Sequence, residues 1–195
     1  MNKENIIDYV VQTPHNPNKK VLDDMLETLI EENGTGGVSG DSQLDGLIDG
    51  SITEITTSAT VIKRSAFCGH DTLTNIIMPN VTIIYENAFV NCSNLDLKSL
   101  PNSLQKIWGS AFESCTRLKL SSIPASMTYM ESWAFSKCTG LTEITFEGVP
   151  NYVASGAFDR CTNITTINVP WAEGAVAGAP WGATNATINY NYTGA

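Results

Sequence analysis

Basic residues and histidine are scarce in this sequence. Its 195 residues include 11 Lys and Arg against 20 Asp and Glu, with two His, and the formal net charge is −9. Proteins bind the phosphates of nucleic acids with clustered Lys and Arg, so this balance argues against a nucleic-acid partner. Most of the charge lies in residues 1–50, which hold ten acidic and three basic side chains, whereas residues 51–170 hold nine and eight. Binding by the nearly neutral part should therefore rest on shape, aromatic side chains and hydrogen bonds.

Long apolar runs are also missing. No stretch approaches the roughly 18 apolar residues that read as a membrane-spanning helix, so we expect no membrane insertion. The first eight residues are polar and acidic, and they lack the apolar region of a secretory signal peptide. We therefore expect no secretory signal peptide in this sequence.

Motifs that carry chemistry are absent as well. The sequence has no CxxC or HxxxH pair for a metal, no GxSxG or HExxH motif, and no GxGxxG loop for phosphate. Asp41, Asp45 and Asp49 recur every four residues, but their spacing does not fit an EF-hand and favours a solvated acidic turn. We therefore expect no cofactor, no metal and no enzymatic activity. An enzyme on this chain would need two carboxyl groups within about 5–10 Å in a cleft.

An internal repeat fills most of the chain instead. An Ala-Phe pair occurs five times, with Phe-to-Phe steps of 22, 23, 23 and 23 residues. A period of about 20–29 residues is typical of leucine-rich solenoids. Apolar residues recur five before, six after and eleven after each Phe, and Pro follows in four of the five repeats. The repeated phenylalanines are Phe67, Phe89, Phe112, Phe135 and Phe158.

Each repeated position should form a column of equivalent side chains, because neighbouring strands of a sheet lie about 4.8 Å apart. A single repeat has no such neighbours and should not fold alone. Cysteine stands three residues after the Phe in four repeats, and the first repeat has His70 there. Buried cysteine packs as a small apolar residue, so we expect free, buried thiols. The four are Cys92, Cys115, Cys138 and Cys161.

The unit Ala-Phe-x-x-Cys-x-x-Leu, followed by a short strand and Pro, resembles the BspA-like leucine-rich repeat over roughly residues 59–170. The resemblance implies a right-handed solenoid with a parallel sheet on one face and strands and turns on the others. We therefore expect a mainly β fold of about five 22–23-residue repeats, plus an N-terminal α-helix. Members of this family are mostly bacterial or protist surface proteins implicated in adhesion and protein binding, and they are not enzymes.

Four segments are predicted along the chain. Residues 1–33 form an N-terminal helical attachment segment, residues 34–43 a flexible Gly-rich linker, residues 44–170 the solenoid with its N-terminal cap, and residues 171–195 a C-terminal cap. The helix must bury its apolar stripe against the solenoid, against a second copy or against a larger assembly, so we expect self-association or docking. The stripe consists of Val21, Leu22, Met25, Leu26, Leu29 and Ile30.

The two ends resemble a narrower group. The opening, Tyr9 to Asn18, and the tail from Val169 onwards look like small structural proteins encoded in prophages of Gram-positive gut bacteria. Trp171 and Trp181 are large enough to cover the last repeat, and residues 188–192 alternate as one final strand. The alternative for the tail is an exposed aromatic binding site.

A second set of aromatic residues stands at matching places of neighbouring repeats, and Trp133 takes a place that is small or polar in the other repeats, where we expect exposure. Tyr and Trp are frequent interface anchors, so these residues predict a patch that binds a protein or a cell-surface glycan. The alternative is that they shield the next turn. The set consists of Tyr85 and Trp108, four before the Phe, Tyr129 and Tyr152, six before it, and Trp133, two before it.

The sequence thus favours a non-enzymatic binding module, either attached to a phage tail through residues 1–33 or acting at the cell surface. A free-standing bacterial surface adhesin is the second hypothesis. A carbohydrate-active enzyme built on a solenoid is the third, and it would require the carboxyl pair described above.

Overall fold

The computed structural model describes residues 53–194, which form a parallel β-solenoid of about six turns. All strand pairings in this range are parallel. The predicted helix of residues 1–33 and the predicted linker of residues 34–43 lie outside the described residues. The strands are β1 Glu54–Thr56, β2 Val61–Ile62, β3 Asn75–Ile77, β4 Ile83–Ile84, β5 Lys106–Ile107, β6 Ser122–Ile123, β7 Tyr129–Met130, β8 Glu143–Phe146, β9 Tyr152–Val153, β10 Thr166–Asn168 and β11 Thr187–Asn189.

The strands form two sheeted faces. On the first face, one strand from each of five consecutive turns joins a five-stranded sheet in the order β2-β4-β5-β7-β9. On the second face, β1 pairs with β3, and a separate sheet runs β6-β8-β10-β11. The first face is therefore continuous, and the second is divided.

Five phenylalanines form one stack through the core. Neighbouring ring centroids lie 5.0–5.5 Å apart, with interplanar angles of 10° or less. Main-chain bonds set this spacing, as when the Phe67 N–H donates to the carbonyl of Ala88 at 2.7 Å. The apolar columns five before, six after and eleven after each Phe are also buried. The prediction of a repeating solenoid is confirmed.

The cysteine column is buried beside the phenylalanines. The Cys92 thiol donates to the carbonyl oxygen of Phe67, one turn earlier, at 2.9 Å, and the next three repeats reproduce this bond at 2.9–3.0 Å. Burial raises the pKa of Cys115 and that of Cys161 to about 12. Every cysteine is free. The prediction of free, buried thiols is confirmed for these four residues, and their bonds to backbone carbonyls are an addition that the sequence did not predict.

Two positions of the repeat have a left-handed backbone, one in four of the five repeats and the other in all five. This conformation favours Gly and Asn and disfavours bulky side chains. At the position two before the Phe, the left-handed backbone helps to explain why three repeats have Ser or Asn. The sequence alone suggested exposure as the reason, but these three residues are half-buried. The first position holds Ser65, Asn87, Ser110 and Trp133 with φ of 55–61°, and the second holds Gly69, Asn91, Ser114, Lys137 and Arg160 with φ of 56–78°.

Residues 171–194 cover the last turn. Trp181 is fully buried, and its Nε1 donates to the carbonyl of Ala177 at 2.8 Å. Trp171 packs edge-on against Phe146, with ring centroids 5.4 Å apart. Strand β11 then extends the four-stranded sheet by pairing with β10. Both indoles therefore belong to the core and not to a surface binding site.

The second sheeted face is divided at the second repeat, where the middle apolar residue changes its position. The first repeat places its middle apolar residue, Ile76, nine residues after the Phe, whereas the second places Leu97 eight after it. The shift is confined to the middle of the segment, because Met78 and Leu100, each eleven residues after the Phe, are both buried. The Asp96 N–H still donates to the carbonyl of Thr74 at 2.8 Å. Beyond that bond the ladder stops, and a strand reappears only at β6.

Candidate binding site

Four aromatic side chains lie in a row on the continuous face. Tyr85 and Trp108 stack with centroids 6.2 Å apart at 2°, Trp108 and Tyr129 approach to 5.6 Å at 47°, and Tyr129 and Tyr152 stack at 5.0 Å and 22°. We call these four residues the aromatic ladder. Tyr152 is 46% exposed and the other three are half-buried. Because the rings stack on one another, their faces are largely occupied, and their edges are left as the contact surface.

Two positions of the repeat supply the aromatic ladder. Tyr129 points outward from β7 because the next residue, Met130, points into the core. Tyr152 is the same outward residue of β9. Tyr85 and Trp108 directly follow β4 and β5. All four residues are predicted from the sequence as contact residues. Sequence spacing does not place the two positions in one row, because that depends on the direction of each side chain.

Basic side chains flank the aromatic ladder. The Lys63 Nζ lies 5.4 Å from the ring centre of Tyr85, within cation–π distance. Lys106 is exposed on β5, between the turns that carry Tyr85 and Tyr129. Arg64 forms an ion pair with Glu86 at 2.9 Å. Within residues 53–194, neither lysine has a carboxylate within ion-pair distance. These lysines are not among the contact residues predicted from the sequence. Lys63 stands four before its Phe, in the column of Tyr85, and Lys106 stands six before its Phe, in the column of Tyr129.

A depression of about 300 Å³ opens at the Tyr85 end of the aromatic ladder. Its walls are Lys63, Arg64, Tyr85, Glu86 and Trp108. The Trp108 Nε1 is buried and has no hydrogen-bond partner among the described residues. A buried donor without a partner costs about 1–3 kcal/mol. The depression thus combines Lys63, the Arg64–Glu86 ion pair and two aromatic rings.

Glu131 lies on the same face, and its charge is engaged by the backbone. Its Oε2 accepts a hydrogen bond from the Gly109 N–H at 2.9 Å. Burial, the Glu131 carboxylate and Tyr152 together raise the pKa of Tyr129. A tyrosine is protonated at neutral pH at its ordinary pKa of about 10, so the Tyr129 hydroxyl is a hydrogen-bond donor with or without this shift.

Trp133 lies apart from the aromatic ladder. It is 54% exposed, and no ring contact joins it to another aromatic residue in the described part of the chain. Its indole lies over Gly156, where an added Cβ would be 3.6 Å from the Trp133 Nε1. Its φ of 61° is unfavourable for so bulky a residue. The structure thus brings together four of the five predicted residues.

A larger groove of about 550 Å³ lies on the second face, where the sheet is divided. Ile77, 52% exposed, forms one side, and Lys98 with Asp96 forms the other. Asp96 pairs with Lys119 at 3.3 Å through Oδ2, while its Oδ1 is buried without a partner in the described residues. The groove is the main alternative to the aromatic ladder as a contact site.

Neither a metal site nor a membrane segment occurs within residues 53–194. No cluster of three or more His, Cys, Asp or Glu side chains could hold a metal ion there. The same range contains no helix with the length and apolar character needed to cross a bilayer.

Solved structures of similar fold come from several bacteria. A leucine-rich repeat protein from Bacteroides ovatus is 26% identical with a TM-score of 0.52, over 60% of this chain and 31% of its own. A leucine-rich repeat protein of T. pallidum is 27% identical with the same score, over 60% and 57%. The pneumococcal vaccine antigen PcpA, 16% identical with a TM-score of 0.51 over 72% and 42%, shares the fold. This chain thus spans a third to somewhat over half of these proteins' lengths.

The repeat itself decides the family. No curated protein matches the chain. The sequence model of the BspA-type leucine-rich repeat region, however, matches residues 52–173 in six copies. The match begins at residue 52, within the unit before the first Ala-Phe pair, which the sequence predicts to be an incomplete repeat. With its stacked phenylalanines, thiol column and parallel turns, the chain belongs to the BspA-type leucine-rich repeat family.

Proposed function

We propose that the chain is a non-enzymatic binding module that recognises a protein or a cell-surface partner through the aromatic ladder. The observation that carries the proposal is the row of four rings on an uninterrupted sheet, flanked by lysines without carboxylate partners. Exposed Tyr and Trp edges on a rigid support are typical of interface anchors. BspA-type repeat proteins are typically surface or binding proteins, which agrees with this role.

The direct test compares two double variants. Tyr129→Ser with Tyr152→Ser shortens the aromatic ladder, and Ile77→Ser with Val149→Ser removes exposed apolar residues elsewhere. We expect the first variant to lose about tenfold or more in retention on cell envelopes of Gram-positive gut bacteria, since anchor residues contribute about 2 kcal/mol or more. The second should bind like the wild type. Both need an unchanged thermal unfolding curve to count.

Equal retention of the wild type and the first variant would contradict the proposal. Loss of retention in the second variant alone would move the site to other exposed apolar residues, such as Ile77 in the groove.

Attachment to a phage tail through residues 1–33 is the finer part of the proposal. It is supported by the resemblance of the opening and the tail to prophage-encoded structural proteins. We expect a variant lacking residues 1–33 to keep envelope binding and to lose incorporation into particles. A free-standing adhesin predicts that the deletion leaves both unchanged, and hydrolysis of envelope glycans by the protein would favour a carbohydrate-active enzyme.

A further inference from the structure

We infer that the aromatic ladder receives an acidic protein segment, with one carboxylate seated in the depression beside Lys63 and Arg64. The inference rests on the proposed binding role of the aromatic ladder and adds the chemistry of the partner. It is carried by the charge distribution on the continuous face, by the depression and by the arrangement of the rings.

The charge on this face opposes that of the chain. The whole chain has a net charge of −9. The strands of the five-stranded sheet and the two residues after each strand contain three basic side chains and two acidic ones, namely Lys63, Arg64, Lys106, Glu86 and Glu131. Glu86 is engaged by Arg64, and Glu131 accepts the Gly109 N–H. The uncompensated charges are therefore the two ammonium groups of Lys63 and Lys106. An anion approaching this face meets a local attraction that acts within about one Debye length, roughly 8–10 Å.

The depression provides a seat for a carboxylate. Lys63, Arg64 and Glu86 form part of its wall. The guanidinium of Arg64 keeps free N–H donors because the bond to Glu86 at 2.9 Å is made by Nη2 alone. Arg and Lys donors make the stronger, charge-assisted hydrogen bonds to carboxylate. The rings of Tyr85 and Trp108 complete the wall and limit the access of water.

The arrangement of the rings favours a polypeptide over a sugar. Sugar rings stack on open aromatic faces, but Tyr85 faces Trp108 at 2° and Tyr129 faces Tyr152 at 22°. The outward ring edges suit aliphatic side chains and backbone carbonyl oxygens, because the edge of an aromatic ring is its electropositive part. A protein segment supplies both groups together with carboxylates.

The experiment uses a random copolymer of Glu and Tyr as the probe, with a Lys and Tyr copolymer and polygalacturonate as comparisons. Lys63→Glu with Lys106→Glu reverses two charges on the ladder face. Lys98→Glu with Arg117→Glu makes the same change in net charge at exposed residues that lie outside the five-stranded sheet. The full chain is used, and binding is measured by fluorescence anisotropy at about 0.1 M salt, where charges more than ~10 Å apart are screened.

We expect the Glu and Tyr copolymer to bind the wild type, to bind the ladder reversal about tenfold or more weakly, and to bind the control reversal within about twofold. The ladder reversal should instead gain affinity for the Lys and Tyr copolymer. Equal losses in both reversals, or no binding of the acidic copolymer, would overturn the inference. Preferential binding of polygalacturonate through the same lysines would overturn the assignment to protein.

The two proposals fail separately. If shortening the aromatic ladder abolishes envelope retention while the lysine reversal leaves it intact, the binding role stands and the acidic partner is wrong. If neither change affects retention, both proposals fall.

Discussion

The two sheeted faces of the solenoid are built from the same repeats but differ in continuity and in surface chemistry. The first face joins five turns in one sheet and carries aromatic rings and lysines. The second is divided after β3, and Glu54, Asp96, Glu143 and Glu147 give it an acidic character that Lys98 and Lys119 partly offset. The comparison shows that a solenoid can hold one face constant while the other varies.

The apolar register also differs between the two faces. On the first face every repeat has its inward residue five before the Phe, so each short strand meets its neighbour in phase. On the second face the middle apolar residue moves from nine to eight after the Phe in the second and third repeats, at Leu97 and Leu120. The gap in pairing between β3 and β6 coincides with this slip, but the slip alone does not prevent pairing, because β6 of the third repeat pairs in register with β8 of the fourth. The core tolerates the slip because both leucines are still buried.

The largest expected effect removes the support that both faces share. Phe112→Ala deletes the middle ring of the phenylalanine stack, which lies 5.0 Å and 5.2 Å from its two neighbours. We expect a loss of about 3–5 kcal/mol in the free energy of unfolding, because the cavity cannot close against fixed main-chain bonds. Urea unfolding measures it, with Ile77→Ser as an exposed control expected to change stability by about 0.5 kcal/mol or less. A loss below 1 kcal/mol would show that the stack does not hold the turns together.

A second measurement compares the faces directly by amide hydrogen exchange. The Trp108 N–H donates to the carbonyl of Ile84 at 2.9 Å within the continuous sheet. Among the described residues, no backbone bond joins Ile76 to the second repeat. We expect the Ile76 amide to exchange about 100-fold faster than that of Trp108, since exchange without a local acceptor needs no opening of the sheet. Equal protection of the two amides would mean that the second face is continuous in solution.

The smallest expected effect concerns Trp133, which has a left-handed backbone and lies apart from the aromatic ladder. Trp133→Asn should raise the free energy of unfolding by about 1 kcal/mol, because Asn tolerates a φ of 61° better than Trp. The matched control is Asn87→Ala at the equivalent position, with φ of 59°, which should lower it by a similar amount. A loss of stability in Trp133→Asn would show that the contact with Gly156 outweighs the strain. Envelope binding by the same variant tests whether Trp133 takes part in recognition.

The repeat could be predicted in detail because each column depends on local spacing. The five phenylalanines, the leucines six residues later and the four buried cysteines follow directly from a period of 22–23 residues. The aromatic ladder could be predicted only as a list of residues. Whether Tyr85 and Trp108 meet Tyr129 depends on side-chain directions that spacing does not give, and the same reasoning placed Trp133 with them although it lies apart.

The sequence by itself determined the solenoid, its core columns and the burial of four of its five thiols, because a tandem repeat reduces the fold to contacts between equivalent residues. The tertiary structure decided which surface is a candidate for recognition. Ring stacking across turns, the uncompensated charge of Lys63 and Lys106, and the break after β3 all arise between residues about 22 or more positions apart. Their geometry is fixed only when the turns are stacked.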